Sequence, residues 1–138
     1  MSFDLDRFVA AQQGVYEGVL DELRRGRKVG HWIWFIFPQM AGLGPSAMAQ
    51  RFGIRSRAMA QAYLKHPILG KRLRECTRPM LASTSLDISS ILSYPDVLKF
   101  RSSMTLFAIA DPEESMFAEA LKKFFAGERD PLTVELLD

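Results

Sequence analysis

The segment His31-Trp-Ile-Trp-Phe-Ile-Phe-Pro-Gln39 holds the residue types that point most directly to chemistry. His31 is one of two histidines in the chain, and an imidazole is a natural general acid or base near neutral pH. A histidine bonded to a backbone carbonyl at the edge of a core is the competing use. The run is apolar and lacks a helical period, so it reads as a short buried strand or extended stretch stopped by Pro38. Side chains in extended backbone alternate between faces. Trp32 and Trp34 then share one side, and His31, Phe35 and Gln39 the other. The tryptophans could stack on a base or a sugar, or fill a core with their N–H groups paired. Gln39 is suited to a ligand amide or base edge, and equally to the nearby loop backbone.

Three further groups could join them. Asp96 and Lys99 lie three apart, so on a helix they meet. If that helix packs against the His31 segment, the catalytic set becomes His31, Asp96 and Lys99. Ser102 and Ser103 follow on adjacent faces, as ligand hydroxyls or as plain helix-surface groups. The loop Gly42-Leu-Gly44-Pro-Ser46 precedes a helix start, where backbone N–H groups can hold phosphate; a simple turn would look the same. No dinucleotide fingerprint or Walker lysine is present, and no cofactor is implied. The serines lack a G-x-S-x-G setting, which argues against a hydrolase nucleophile. No H-x-x-x-H or paired cysteine suggests a metal site.

The elements that must position these residues are mainly helical. Leu5, Phe8, Val9, Val15, Tyr16, Val19, Leu20 and Leu23 recur at helical spacing, with Asp4 as cap and Gly26 as stop. Ser46 and Ser56 are caps for the next helices. Pro67 opens another, with Leu69, Leu73 and Cys76 inward and Pro79 as its end. A short helix covers Ile88 to Leu92. Pro95 opens a helix carrying Val97, Phe100, Met104, Phe107 and Ala108. Asp111-Pro-Glu-Glu114 and Asp130-Pro131 carry start signals for the last two. The expectation is one domain, 1–138, mainly α, with about six to seven helices and one or two short extended segments around 31–38.

Composition sets the class. The chain has 138 residues, 48% hydrophobic and 25% charged, enough for a core without disulfides. Its lone Cys76 suits a reducing compartment. No signal pattern or membrane-length apolar run is seen, so a cytoplasmic protein with no membrane partner is expected. The net charge of +2 hides segregation. From Arg24 to Arg78 the only acid is Glu75, whereas acids dominate from Asp111 onward. Such a basic stretch can attract phosphates, or can be cancelled in space by the acidic tail.

Gly30 to Gln39, with Gly42-Leu-Gly44 and Ser46, resembles the signature of domain-of-unknown-function family 1810. Tyr63-Leu-x-His66-Pro67 with Leu69-Gly70, Asp96-x-x-Lys99-x-x-Ser102-Ser103-Met-Thr-Leu-Phe107, and Phe124-x-x-Gly127-x-x-Asp130 extend the resemblance over essentially the whole chain. It implies a small, mostly helical domain of microbial proteins. A remoter similarity is to the NADAR group, which acts on ADP-ribose derivatives; no catalytic residue of that group aligns here. The leading functional expectation is a pocket for a phosphorylated nucleoside or ADP-ribose-like ligand, in an enzymatic form a hydrolase of an N-glycosidic substrate. The alternative is an interaction module whose basic face takes a protein or, less readily, nucleic acid. A third is a scaffold whose aromatic segment is only core.

Overall fold

A computed structural model describes residues 3–137. Among the described residues nine α-helices and one 3-10 turn form, and no strand. The long first helix of the sequence pattern is broken into α1 (Asp6–Gln12) and α2 (Tyr16–Arg25). Gly14 takes φ +81° between them, a value that glycine adopts at little cost. The helical period continues across the break, which hides it from the sequence. Asp4 does accept from the Asp6 N–H, at 3.1 Å. Gly26, at φ +77°, closes α2, with its own N–H on Leu23 O and the Arg27 N–H on Glu22 O.

The aromatic run is not extended. Ile33–Ile36 forms one helical turn, α3. Trp32, Ile33, Phe35, Ile36 and Phe37 are all buried, so a turn of helix with apolar side chains in nearly every direction satisfies burial where alternation would have exposed one face. The buried Gln12 amide donates to Phe35 O at 2.7 Å, and Arg72 supports Gln12 at 3.3 Å.

Ser46 and Ser56 accept from Ala49 N and Met59 N and cap α4 (Ala47–Arg51) and α5 (Arg57–Lys65), as expected. The next helix, α6 (Leu69–Ala82), begins two residues after Pro67, and His66 Nδ1 accepts from the N–H groups of Ile68 and Leu69. Pro79 does not end it. One backbone bond is forfeited there, but the Lys123 ammonium donates to the carbonyls of Met80, Leu81 and Ser83 and secures the last turn. Cys76 is fully buried, and burial pushes its thiol up to about 12, consistent with an inert core thiol.

After the 3-10 turn Ile88–Ser90, α7 (Asp96–Ala110) is the central element, packed against α3, α5, α8 (Ser115–Phe125) and α9 (Pro131–Leu137). It is buried on nearly all sides, Ser103 and Thr105 included. Phe37 meets Phe100 edge-on at 4.9 Å, and Tyr63 and Phe117 flank Phe107 at 5.5 and 5.7 Å. Asp111 turns the chain but α8 starts later, at Ser115. Asp130 caps α9 as expected, accepting from Thr133 N and Thr133 Oγ1.

Candidate functional site

Two carboxylates hold the aromatic segment in place. Glu22, on α2, accepts from Val29 N at 2.6 Å, Gly30 N at 2.9 Å and the Trp32 indole N–H at 3.0 Å. Asp96, the first residue of α7, is 2.7 Å from Lys28 Nζ and 3.6 Å from Lys99 Nζ. Lys28 also donates to Gly30 O. Each ammonium in turn lies 5.1 Å from an indole ring, Lys28 over Trp32 and Lys99 over Trp34. Cation–π contact of this kind adds about 0.5–2 kcal/mol per pair. One buried aspartate therefore orders two lysines and, through them, two tryptophans.

Burial works to raise the Glu22 pKa. The N–H groups of Gly30 and Val29, the Trp32 indole and the Lys28 ammonium outweigh it, and the carboxyl lies below its ordinary value. A folded-state pKa below the unfolded one gives stability that is present above the ordinary glutamate range and lost as pH falls through the lowered value. Glu22→Gln is therefore expected to flatten the acid limb of the stability curve. Urea unfolding of both proteins from neutral pH downward checks this; parallel acid limbs would refute it.

The loop after the aromatic segment is pinned separately. Ala41 N donates to Ile54 O at 2.7 Å and Ile54 N to Gln39 O at 2.8 Å, around a parallel bridge between Met40 and Ile54. Gly53 makes that approach possible, since a Cβ there would sit 2.7 Å from Ala41 Cβ. The Gln39–Ser46 loop is thus held to the Ile54 segment, and a cleft of about 400 Å³ opens between the loop and α7.

Gln39, Gly44, Ser46, Lys99 and Ser102 line this cleft, together with Leu98, Arg101, Asp130 and Leu132. Leu98 and Leu132 are half-exposed, at 48% and 58%. The Gln39 side-chain amide has no hydrogen bond among the described residues. Arg101 is committed to the carbonyls of Glu128 and Arg129. Asp130 is likewise committed, receiving Ser102 Oγ at 3.0 Å as well as Thr133. Trp34 lines a narrow extension of the cleft, about 10 Å³, shared with Gln39, Leu43, Gly44 and Ala49. Its indole N–H is buried with no partner among the described residues, and a space of that size holds about one water molecule.

The other sequence candidates lie elsewhere. His31 is exposed at a bend and lines none of the cavities described. Trp32 and Phe35 are core residues, Phe35 packed 5.5 Å from Phe52. Gly42, at φ +95°, shapes the loop outside the cleft lining. The Ser46 hydroxyl is used in capping α4, and α4 has only five residues, too short for an appreciable helix dipole. Ser103 is fully buried, its hydroxyl unpaired among the described residues. Asp96 is buried and ion-paired. A larger cavity, about 600 Å³, opens between α2 and α6, away from all of these.

A family described as protein of unknown function (DUF1810) matches residues 2–137. The chain belongs to that family. A solved structure, the conserved hypothetical protein Rv1873 from Mycobacterium tuberculosis, is 52% identical over 98% of this chain and 96% of its own, with a TM-score of 0.96. No curated protein matches the chain. In this DUF1810 chain the residues that sequence reasoning missed are Glu22, Lys28 and Asp130 as side-chain anchors. Asp130 carried a cap signal, but nothing in it foretold the bond to Ser102. Lys28 sat in a basic run and gave no local sign that it would be buried.

Proposed function

We propose that this DUF1810 chain binds a small ring-bearing anion, of the phosphorylated nucleoside or ADP-ribose-like class, in the cleft between the Gln39–Ser46 loop and α7. The observation that carries the reading is the gathering of Gln39, Lys99 and Ser102 around about 400 Å³, within the range of about 300–1,000 Å³ common for small-molecule sites. Leu98 and Leu132 offer apolar walls for a ring. Gln39 has a free amide to fix its orientation. Lys99 is only loosely paired, 3.6 Å from Asp96, and can turn its ammonium toward a phosphate. The unpaired Trp34 N–H adds a donor at the narrow end.

Binding without turnover fits these groups better than hydrolysis. An acid or base in the cleft would need a free carboxylate or imidazole. Asp130 accepts three hydrogen bonds at Oδ2 and is tied to the start of α9, and His31 is outside. The proposed ligand class supplies the choice of probe. Adenosine monophosphate and ADP-ribose are each expected to raise the melting temperature in a concentration-dependent way, since ligand at a hundredfold its Kd stabilises by about 2.7 kcal/mol. Lys99→Met and Gln39→Ala should each weaken the better ligand about tenfold, and His31→Ala should leave it unchanged. No shift with either compound, or full binding by Lys99→Met, would reject the reading.

A further inference from the structure

The 600 Å³ cavity shares no lining residue with the cleft. Arg24 and Arg25 reach it from the last turn of α2, and Arg78 from the C-terminal half of α6. Ser83 and Thr84 supply hydroxyls from the turn that follows. We infer that this cavity is a second binding site, for the pyrophosphate or phosphate-ester group of a soluble small molecule, with Arg24 and Arg78 as its principal ligands.

The charges support it. Arg24 and Arg78 are exposed and have no ion pair or hydrogen bond among the described residues, while Arg25 is held to Asp21 at 3.0 Å on the surface. No carboxylate lines the cavity. The carboxylate in the adjoining turn, Asp87, is taken up by the N–H and hydroxyl of Ser89. Guanidinium groups offer a planar fork of donors that matches phosphate oxygens, and the Thr84 hydroxyl has no partner among the described residues.

An opposing effect must be weighed. The cavity lies by the C-terminal ends of two helices, whose free carbonyls repel anions. Part of each end is already satisfied. Gly26 N and Arg27 N take the carbonyls of Leu23 and Glu22 at the end of α2. Lys123 takes those of Met80, Leu81 and Ser83 at the end of α6, placing a further positive charge there. The dipole penalty is thereby offset. Lys71, which lines both neighbouring hollows with Arg24 and Arg78, extends the positive surface. No aromatic side chain lines the cavity, so the base stacking that single-stranded nucleic acid uses has no platform, and a small ligand is favoured.

The test is calorimetric titration of the full chain with inorganic pyrophosphate at about 0.1 M salt, where charges beyond about 10 Å are screened. Saturable one-site binding is expected, tighter than that of sulfate. Arg24→Gln and Arg78→Gln should each weaken it at least tenfold. Arg57→Gln, at an exposed arginine on α5, should leave it unchanged. The inference is overturned if pyrophosphate shows no saturable binding, if sulfate binds as tightly, or if the two arginine variants bind normally. It is also overturned if Lys99→Met abolishes binding, which would move the anion to the cleft, or if only an oligonucleotide binds and pyrophosphate does not compete with it.

Discussion

Asp96→Ala is expected to destabilise the protein by about 3–5 kcal/mol, the usual cost of removing one partner of a buried ion pair. The side chains of Lys28 and Asp96 are 8% and 12% exposed, so solvent screens their attraction little. Without the carboxylate, the Lys28 ammonium keeps Gly30 O, the face of Trp32 and the weaker pull of the Glu22 carboxylate. Lys99 also loses the group that holds it over Trp34. Urea unfolding followed by circular dichroism gives the loss directly. The double variant Lys28→Met with Asp96→Leu should recover most of it, because neither charge is then stranded. If Asp96 were instead a catalytic acid without a structural role, the single variant would unfold like the wild type.

The second large effect comes from a glycine that touches no charge. A Cβ on Gly70 would lie 2.1 Å from the carbonyl oxygen of Leu64 and 2.8 Å from its carbon. Those are backbone atoms and cannot rotate aside. The Leu64 carbonyl also accepts from Arg74 at 3.1 Å, and Gly70 N donates to His66 O at 3.0 Å, so the turn between α5 and α6 is fixed from both sides. Gly70→Ala is expected to cost about 3 kcal/mol, near the top of the usual range for overpacking. Gly18→Ala is the matched control. Gly18 sits within α2 with nothing within 4 Å of a Cβ, and there alanine should gain about 1 kcal/mol of helix propensity. Opposite shifts of the two urea midpoints are predicted; two shifts of the same sign would contradict the packing described.

The sequence made the helices legible where punctuation agreed with period. Ser46, Ser56, Gly26 and Asp130 mark ends that the structure keeps. It misled where a tertiary partner replaced a local signal. Pro79 reads as a terminator, but Lys123, distant in sequence, carries the helix past it. The aromatic run reads as extended because it has no period, yet a turn buried on nearly all sides needs none. Of the sequence candidates, Gln39, Gly44, Ser46, Lys99 and Ser102 come together along the cleft. Asp96 and Lys99 were correctly paired by their spacing, but the burial that makes Asp96 structural depends on Lys28, and no local pattern reports such a contact. His31 drew attention by rarity alone. Its neighbours are fixed by Glu22 and Asp96, and the histidine is left at the solvent-facing bend. Under the proposed reading, the polar contacts to a ligand fall to Gln39 and Lys99 rather than to His31.

The most direct measurement of the proposed binding is a titration followed by amide and indole N–H resonances. The chain has two tryptophans and so two indole signals. The account predicts that adenosine monophosphate or ADP-ribose moves the Trp34 indole together with the amides of Gln39, Gly44 and Lys99. The Trp32 indole, bound to Glu22, and the amide of His31 should stay in place. Shifts centred on His31, or a Trp34 indole unmoved at saturation, would contradict it.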